Sequence, residues 1–210
     1  IKKLNRIFRQ AAVAVGWLLA GVTQSSAQVD MNKFHAIVDW QVNSPLSNDF
    51  TEKMSGWGMN FEVLYDVHPN VGLGGFMSYH TNHKYVGRET LSLSSTEALT
   101  TDQQRSAFQL PFGLSAAFPL VNNSIAKPYL GVKTGAMYAQ YTTYFGTGGV
   151  QHDSWGYYVS PEFGVRIHPT GQHWGLHIAG YYSYATNHVQ TLTGEIKGLH
   201  NLGFRLGVIF

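Results

Sequence analysis

The stretch WGMNFEVLYDV, residues 57–67, alternates from end to end. Trp57, Met59, Phe61, Val63, Tyr65 and Val67 fall on one parity, and Gly58, Asn60, Glu62, Leu64 and Asp66 on the other. In an extended chain successive side chains point to opposite faces. One face of this segment is therefore aromatic and aliphatic. The other carries two carboxylates, an amide and a glycine. No helical period accommodates that division.

Seven further segments carry the same pattern. Residues 33–43 set Phe34, Ala36, Val38, Trp40 and Val42 against His35, Ile37, Asp39, Gln41 and Asn43. Residues 71–83, 105–118, 128–144, 154–168, 174–187 and 198–210 repeat it, the last ending Leu202, Phe204, Leu206, Val208 and Phe210 against Asn201, Gly203, Arg205 and Gly207. Each is long enough to cross a bilayer as a tilted strand of ~9–11 residues. The connections alternate in length. Those near 68–70, 119–127 and 169–173 are short or moderate and carry turn residues. Those near 44–56, 84–104, 145–153 and 188–197 are mostly longer and polar. The expected fold is all-β: an eight-stranded antiparallel up-and-down transmembrane barrel, with three turns on the side of the chain ends and four loops on the other. The loop 84–104 is the longest and rich in Ser and Thr, and 145–153 reads as flexible.

A soluble barrel also alternates, with its apolar face inward. Charge decides against it. Only 12% of the 210 residues are charged, where a soluble chain carries ~25%. The face opposite the aromatics is rich in glycine, including Gly72, Gly74, Gly113, Gly131, Gly135, Gly164, Gly203 and Gly207. Small side chains suit the narrow interior that eight strands enclose. Trp57, Tyr79, Trp155, Trp174 and Tyr184 gather near strand ends, as aromatic girdles do at a membrane boundary.

The first residues read as an export signal. Lys2, Lys3, Arg6 and Arg9 precede the apolar run AAVAVGWLLAGV at 11–22, and Ser25 and Ala27 occupy the −3 and −1 positions of a small-residue cleavage site. Residues 1–27 are expected to be the signal peptide, cleaved after Ala27, and 28–210 the barrel domain. Removing the signal leaves 10 basic and 12 acidic side chains, a net charge near −2. No basic patch argues for nucleic acid. The chain has no Cys, so no disulfide.

With the aromatics turned to lipid, Asp39, Glu62, Asp66 and Glu162 share the interior with Lys133, Arg166 and Arg205, and His177, Asn60 and Gln109 lie nearby. Ionised groups in a small lumen must pair, because an unpaired buried charge is very costly. We read these seven charges as a structural plug of salt bridges. A proton or ion path is the alternative.

The segment QLPFGLSAAFP at 109–119, followed by KPYLGVKTG at 127–135, then SPEFGVR at 160–166 and the terminal GFRLGVIF at 203–210, resembles the bacterial outer-membrane β-barrel superfamily, with OmpX-, OmpW- and PorT-type members. The resemblance implies outer-membrane lipid as surroundings and the barrel-assembly machinery, which reads a last strand ending in Phe, as a partner in biogenesis. It implies no single activity. Adhesins, narrow porin-like channels, assembly factors and lipid-modifying enzymes share the fold. An acyl-modifying site needs a hydroxyl, an imidazole and a carboxylate. Ser183, His188 and Glu195 are the candidates, but the deacylase-type spacing of His to Ser is missing around Tyr184–His188. His80, His83, His152 and His188 could meet at one rim, but His80 and His83 point to opposite faces. The expectation is a non-enzymatic protein with no metal, no cofactor and no catalytic residues, in a structural or surface-interaction role.

Overall fold

The computed structural model describes residues 33–46, 50–51, 53–92, 98–121, 125–146, 148–169, 174–191 and 194–210. The expected signal segment 1–27 lies outside them. Eight strands follow in order: β1 (Phe34–Pro45), β2 (Gly58–His68), β3 (Val71–Ser92), β4 (Ala98–Pro119), β5 (Ala126–Phe145), β6 (Gly148–Ile167), β7 (Gly175–Thr191) and β8 (Gly194–Ile209). Each pairs antiparallel with the next, and β1 closes on β8, from Ile37↔Ile209 to Pro45↔Asn201. A closed ring leaves no unpaired edge within the barrel wall, which is what lets strands cross a hydrocarbon layer.

The sides fall as the alternation requires. Leu114 is 70% exposed, while Arg205 is 0%. Trp40, Phe61, Val63, Leu73, Met77, Leu130, Phe163, Leu202, Phe204 and Leu206 all face outward. Asp39, Glu62, Lys133, Glu162, Arg166 and His177 are all buried. This inverts a soluble protein, in which apolar residues fill the core and charged ones are almost never fully buried. Outside, aromatics pack on one another: Trp40 on Phe204 at 5.9 Å, and Trp155 between Phe112 at 6.3 Å and Tyr138 at 5.2 Å. Trp57, Trp155 and Trp174 are exposed.

Two strand prolines leave their mark on the ladder. The β3–β4 register runs to Met77↔Phe112 and resumes at His80↔Gln109, stepping over Pro111. The β6–β7 register stops at Val159↔Tyr184 and resumes at Glu162↔Tyr181, stepping over Pro161. Proline has no N–H to give to the ladder. Beside Pro161, the Ser160 hydroxyl donates instead to the Tyr182 carbonyl at 2.8 Å.

Three segments expected as loops are strand instead. Most of 84–104 continues β3 and β4, paired from Lys84↔Arg105 to Ser92↔Ala98 with one register shift between Val86 and Glu89. Its Thr residues are good strand formers, and Thr90 and Thr100 bond across the pair at 2.8 Å. Segment 145–153 is not a flexible loop. Phe145 pairs with Gly148, and Gly146 takes a φ of 54°, as a two-residue hairpin requires. Segment 188–197 pairs from His188↔Lys197 to Thr191↔Gly194, after a bulge in which Gly198 has φ 76°. In each case polar composition suggested a loop, but an antiparallel hairpin with both faces in water can be polar throughout. The short turns sit at the other end, hereafter the turn end, where Phe34 and Phe210 also lie.

The fourth connection does leave the ladder. Asn43 and Ser55 exchange backbone hydrogen bonds at 2.8 Å, and Trp57 accepts from the Thr81 N–H. Phe50 is buried and meets the Tyr141 ring edge-on at 5.5 Å. Part of this connection thus folds into the hairpin end. There it joins an apolar cluster of Phe76, Met137, Tyr141, Tyr158, Ile196 and Leu199.

Candidate functional site

The barrel interior is stacked in layers, and its waist is ionic. β5 and β6 supply Lys133 and Glu162, β2 supplies Glu62 and β8 supplies Arg205. All are inward positions of strands whose register is fixed by the apolar face opposite. The Lys133 ammonium lies 2.9 Å from Glu62 and 3.0 Å from Glu162. Glu162 also accepts from Arg205 Nη1, and Arg205 Nε donates to Gln41 at 2.9 Å. The guanidinium carbon stands 4.1 Å from the centre of the Tyr181 ring. Glu162 is therefore the hub: two cations and one hydroxyl converge on it.

A second chain of bonds runs toward the turn end. Tyr129 donates to Glu162 at 2.7 Å, and its oxygen is 2.7 Å from His177 Nε2. His177 Nδ1 is 2.6 Å from Asp39, which accepts from Asn60 at 2.9 Å through its other oxygen. The single phenol proton points to Glu162. His177 thus bridges Tyr129 and Asp39 through its two ring nitrogens.

On the hairpin side lies an amide layer. Asn43 donates to Asn82 at 3.0 Å and to Asn201 at 3.2 Å, and Asn201 donates to Gln109 at 3.2 Å. Tyr181 donates to Asn43 at 3.0 Å, and Gln41 meets His80 at 3.1 Å. Asn82 ties the layer to the folded-in connection through the Lys53 carbonyl at 3.1 Å.

Of the seven charges singled out from sequence, five meet here: Asp39, Glu62, Lys133, Glu162 and Arg205. Asp66 and Arg166 lie apart at the turn end. Asp66 pairs with His35 at 2.9 Å, and Arg166 stacks on the Tyr129 ring at 4.4 Å. Sequence reading missed Tyr129, Tyr181 and Gln41 as members of the network, although their inward parity could have placed them in it. The glycines are where these rings lie. A Cβ on Gly164 would come within 2.6 Å of the Tyr129 ring, and one on Gly203 within 2.6 Å of the Tyr181 hydroxyl.

The acyl-transfer candidates do not assemble. Ser183 is buried and accepts from Asn201 at 3.5 Å. His188 and Glu195 pair at 2.9 Å on the exposed β7–β8 hairpin. Lys197 also bonds Glu195 at 2.8 Å, and chiefly through that bond holds its carboxyl below the usual range. His80 points into the lumen, while His83 is exposed, so these two do not converge.

The model of the outer membrane protein beta-barrel domain family matches residues 13–210. No curated protein sequence matches the chain. Among solved structures, it is similar to Ail, the attachment invasion locus protein of Yersinia pestis, with 13% identity, a TM-score of 0.46, and 85% of this chain and 99% of that one covered. It is also similar to Neisserial surface protein A, with 16% identity, a TM-score of 0.47 and coverage of 84% and 96%. A third is OprG from Pseudomonas aeruginosa, with 12% identity, a TM-score of 0.46 and coverage of 84% and 93%.

Proposed function

The chain belongs to the outer membrane protein beta-barrel family, and from that premise we propose that it is a closed, non-conducting barrel with a structural or surface-interaction role. Its place is the outer membrane of a Gram-negative bacterium. The observation that carries the reading is Arg205. It is fully buried at the waist, bonded to Glu162 and Gln41 and stacked on Tyr181. A conducting pore needs its charges to face water. Here Asp39, Lys133, His177 and Arg205 are at most 1% exposed, and the folded-in Phe50 lies further toward the hairpin end. The long β3–β4 and β5–β6 hairpins offer the surface on which a partner outside the cell would act. A catalytic role finds no support in the buried Ser183. The last strand, with its alternating apolar parity, suits handling by the barrel-assembly machinery, and residues 1–27 suit a cleaved export signal.

Planar-bilayer recording tests the closed lumen. The purified barrel is expected to give no steady single-channel openings at moderate voltage. Reproducible unitary currents that scale with salt would refute it.

A further inference from the structure

Arg166 breaks the pattern of the waist. Its residue is only 5% exposed, yet no carboxylate pairs with it among the described residues. Among the described residues its Nε and Nη2 have no hydrogen-bond partner, and the guanidinium lies over the Tyr129 ring at 4.4 Å. A guanidinium so placed is costly unless something anionic or strongly polar reaches it. The residue lines a cavity of about 230 Å³ at the turn end, together with His35, Asp66, Lys127, Tyr129 and His168. Asp66 is the carboxylate of this lining, and His35 already holds it. Lys127 has no ion-pair partner among the described residues. The cavity therefore has an excess of positive charge. His168, just beyond β6, registers it: burial first, then Lys127, His35 and Arg166, push its imidazole below the usual histidine range. Its Nδ1 is also buried without a partner among the described residues.

We propose that this cavity binds a phosphate group, held by Arg166 and Lys127 above the Tyr129 ring. The planar guanidinium fork matches two phosphate oxygens, and an ammonium adds a point charge. The space holds a tetrahedral oxyanion with room for its ester substituent. The adjoining β4–β5 turn exposes Leu120, Val121 and Ile125, so the rim is apolar beside a charged well. That combination fits the boundary of a membrane, where phosphate arrives as a lipid headgroup. Free phosphate would satisfy the same nitrogens.

The full chain, folded in octyl glucoside, is titrated with inorganic phosphate by calorimetry. In a second arm it is reconstituted into phosphatidylethanolamine–phosphatidylglycerol vesicles and re-extracted, and retained phospholipid is counted by native mass spectrometry. Saturable binding in the first arm supports a free-anion site. One phospholipid held per barrel in the second supports a headgroup site. In either case Arg166→Gln should weaken binding at least about tenfold, the loss expected for a charge-assisted contact. Lys127→Gln should weaken it less. Lys127→Gln keeps the buried guanidinium and serves as the test if Arg166→Gln fails to shift on heating in a gel. Wild type that binds in neither arm overturns the proposal, and so does binding that both variants leave unchanged.

Discussion

Two arginines sit inside this barrel in nearly the same posture. Arg205 is 0% exposed and Arg166 is 5%. Each stacks on a tyrosine, at 4.1 Å and 4.4 Å. They differ in what reaches their nitrogens. Arg205 has Glu162 and Gln41, and only its Nη2 lacks a partner; among the described residues Arg166 has no carboxylate, and its Nε and Nη2 both lack partners. One arginine is ion-paired at the waist, and the other leaves an end of the lumen electrostatically unfinished. Burial alone therefore does not define a structural charge. Where the same protein pairs one guanidinium with a carboxylate and leaves its twin without one among the described residues, the unpaired one is the better place to look for a ligand.

The largest effect should come from removing the hub. Glu162→Gln leaves Arg205 uncompensated and Lys133 with Glu62 alone. Breaking a buried pair by removing one partner costs about 3–5 kcal/mol. Urea unfolding in vesicles, followed by tryptophan fluorescence, should show the midpoint fall accordingly. An unchanged midpoint would mean that the waist charges do not hold the barrel, and the contrast with Arg166 would collapse.

A smaller effect follows at the wall between the two regions. Gly164 leaves the space that Tyr129 fills, and Tyr129 serves both sides: its hydroxyl bonds Glu162, and its ring backs Arg166. Gly164→Ala should push the ring out of place and cost about 1–3 kcal/mol, the usual range for overpacking a filled interior. The same unfolding assay reads it. If the midpoint held, Tyr129 would be free to shift and the two regions would not share a rigid wall.

This contrast was half legible in the sequence. Parity identified both arginines as inward, because the aromatic face of each strand fixes the other face. It also placed Asp39, Glu62, Lys133 and Glu162 on the same side. It did not say which charges share a level. That depends on how far each strand is staggered along the barrel axis, a property of closure and shear that no single segment encodes. Arg166 and Glu162 are four residues apart on β6, both inward, yet only Glu162 lies at the waist. The folded-in connection was hidden for a related reason: nothing local to Phe50 distinguishes a ring inserted against Tyr141 from one exposed in a loop. The polar hairpins were misjudged because polarity signals contact with water, not absence of pairing.

The smallest effect separates the two arginines most sharply. Arg166→Gln loses a cation–ring contact, worth about 0.5–1 kcal/mol where water has access and more where it does not. It also removes a buried charge with unsatisfied nitrogens, which offsets that loss. In phosphate-free buffer its unfolding midpoint should therefore stay within about 1 kcal/mol of wild type, against the several expected at Glu162. Added phosphate should then part the two proteins. A ligand bound only by the folded state stabilises it by about 2.7 kcal/mol at one hundred times its dissociation constant, so wild type should gain and Arg166→Gln should not. A large loss in Arg166→Gln without phosphate would instead make Arg166 a structural charge like Arg205, satisfied by some group of the protein itself.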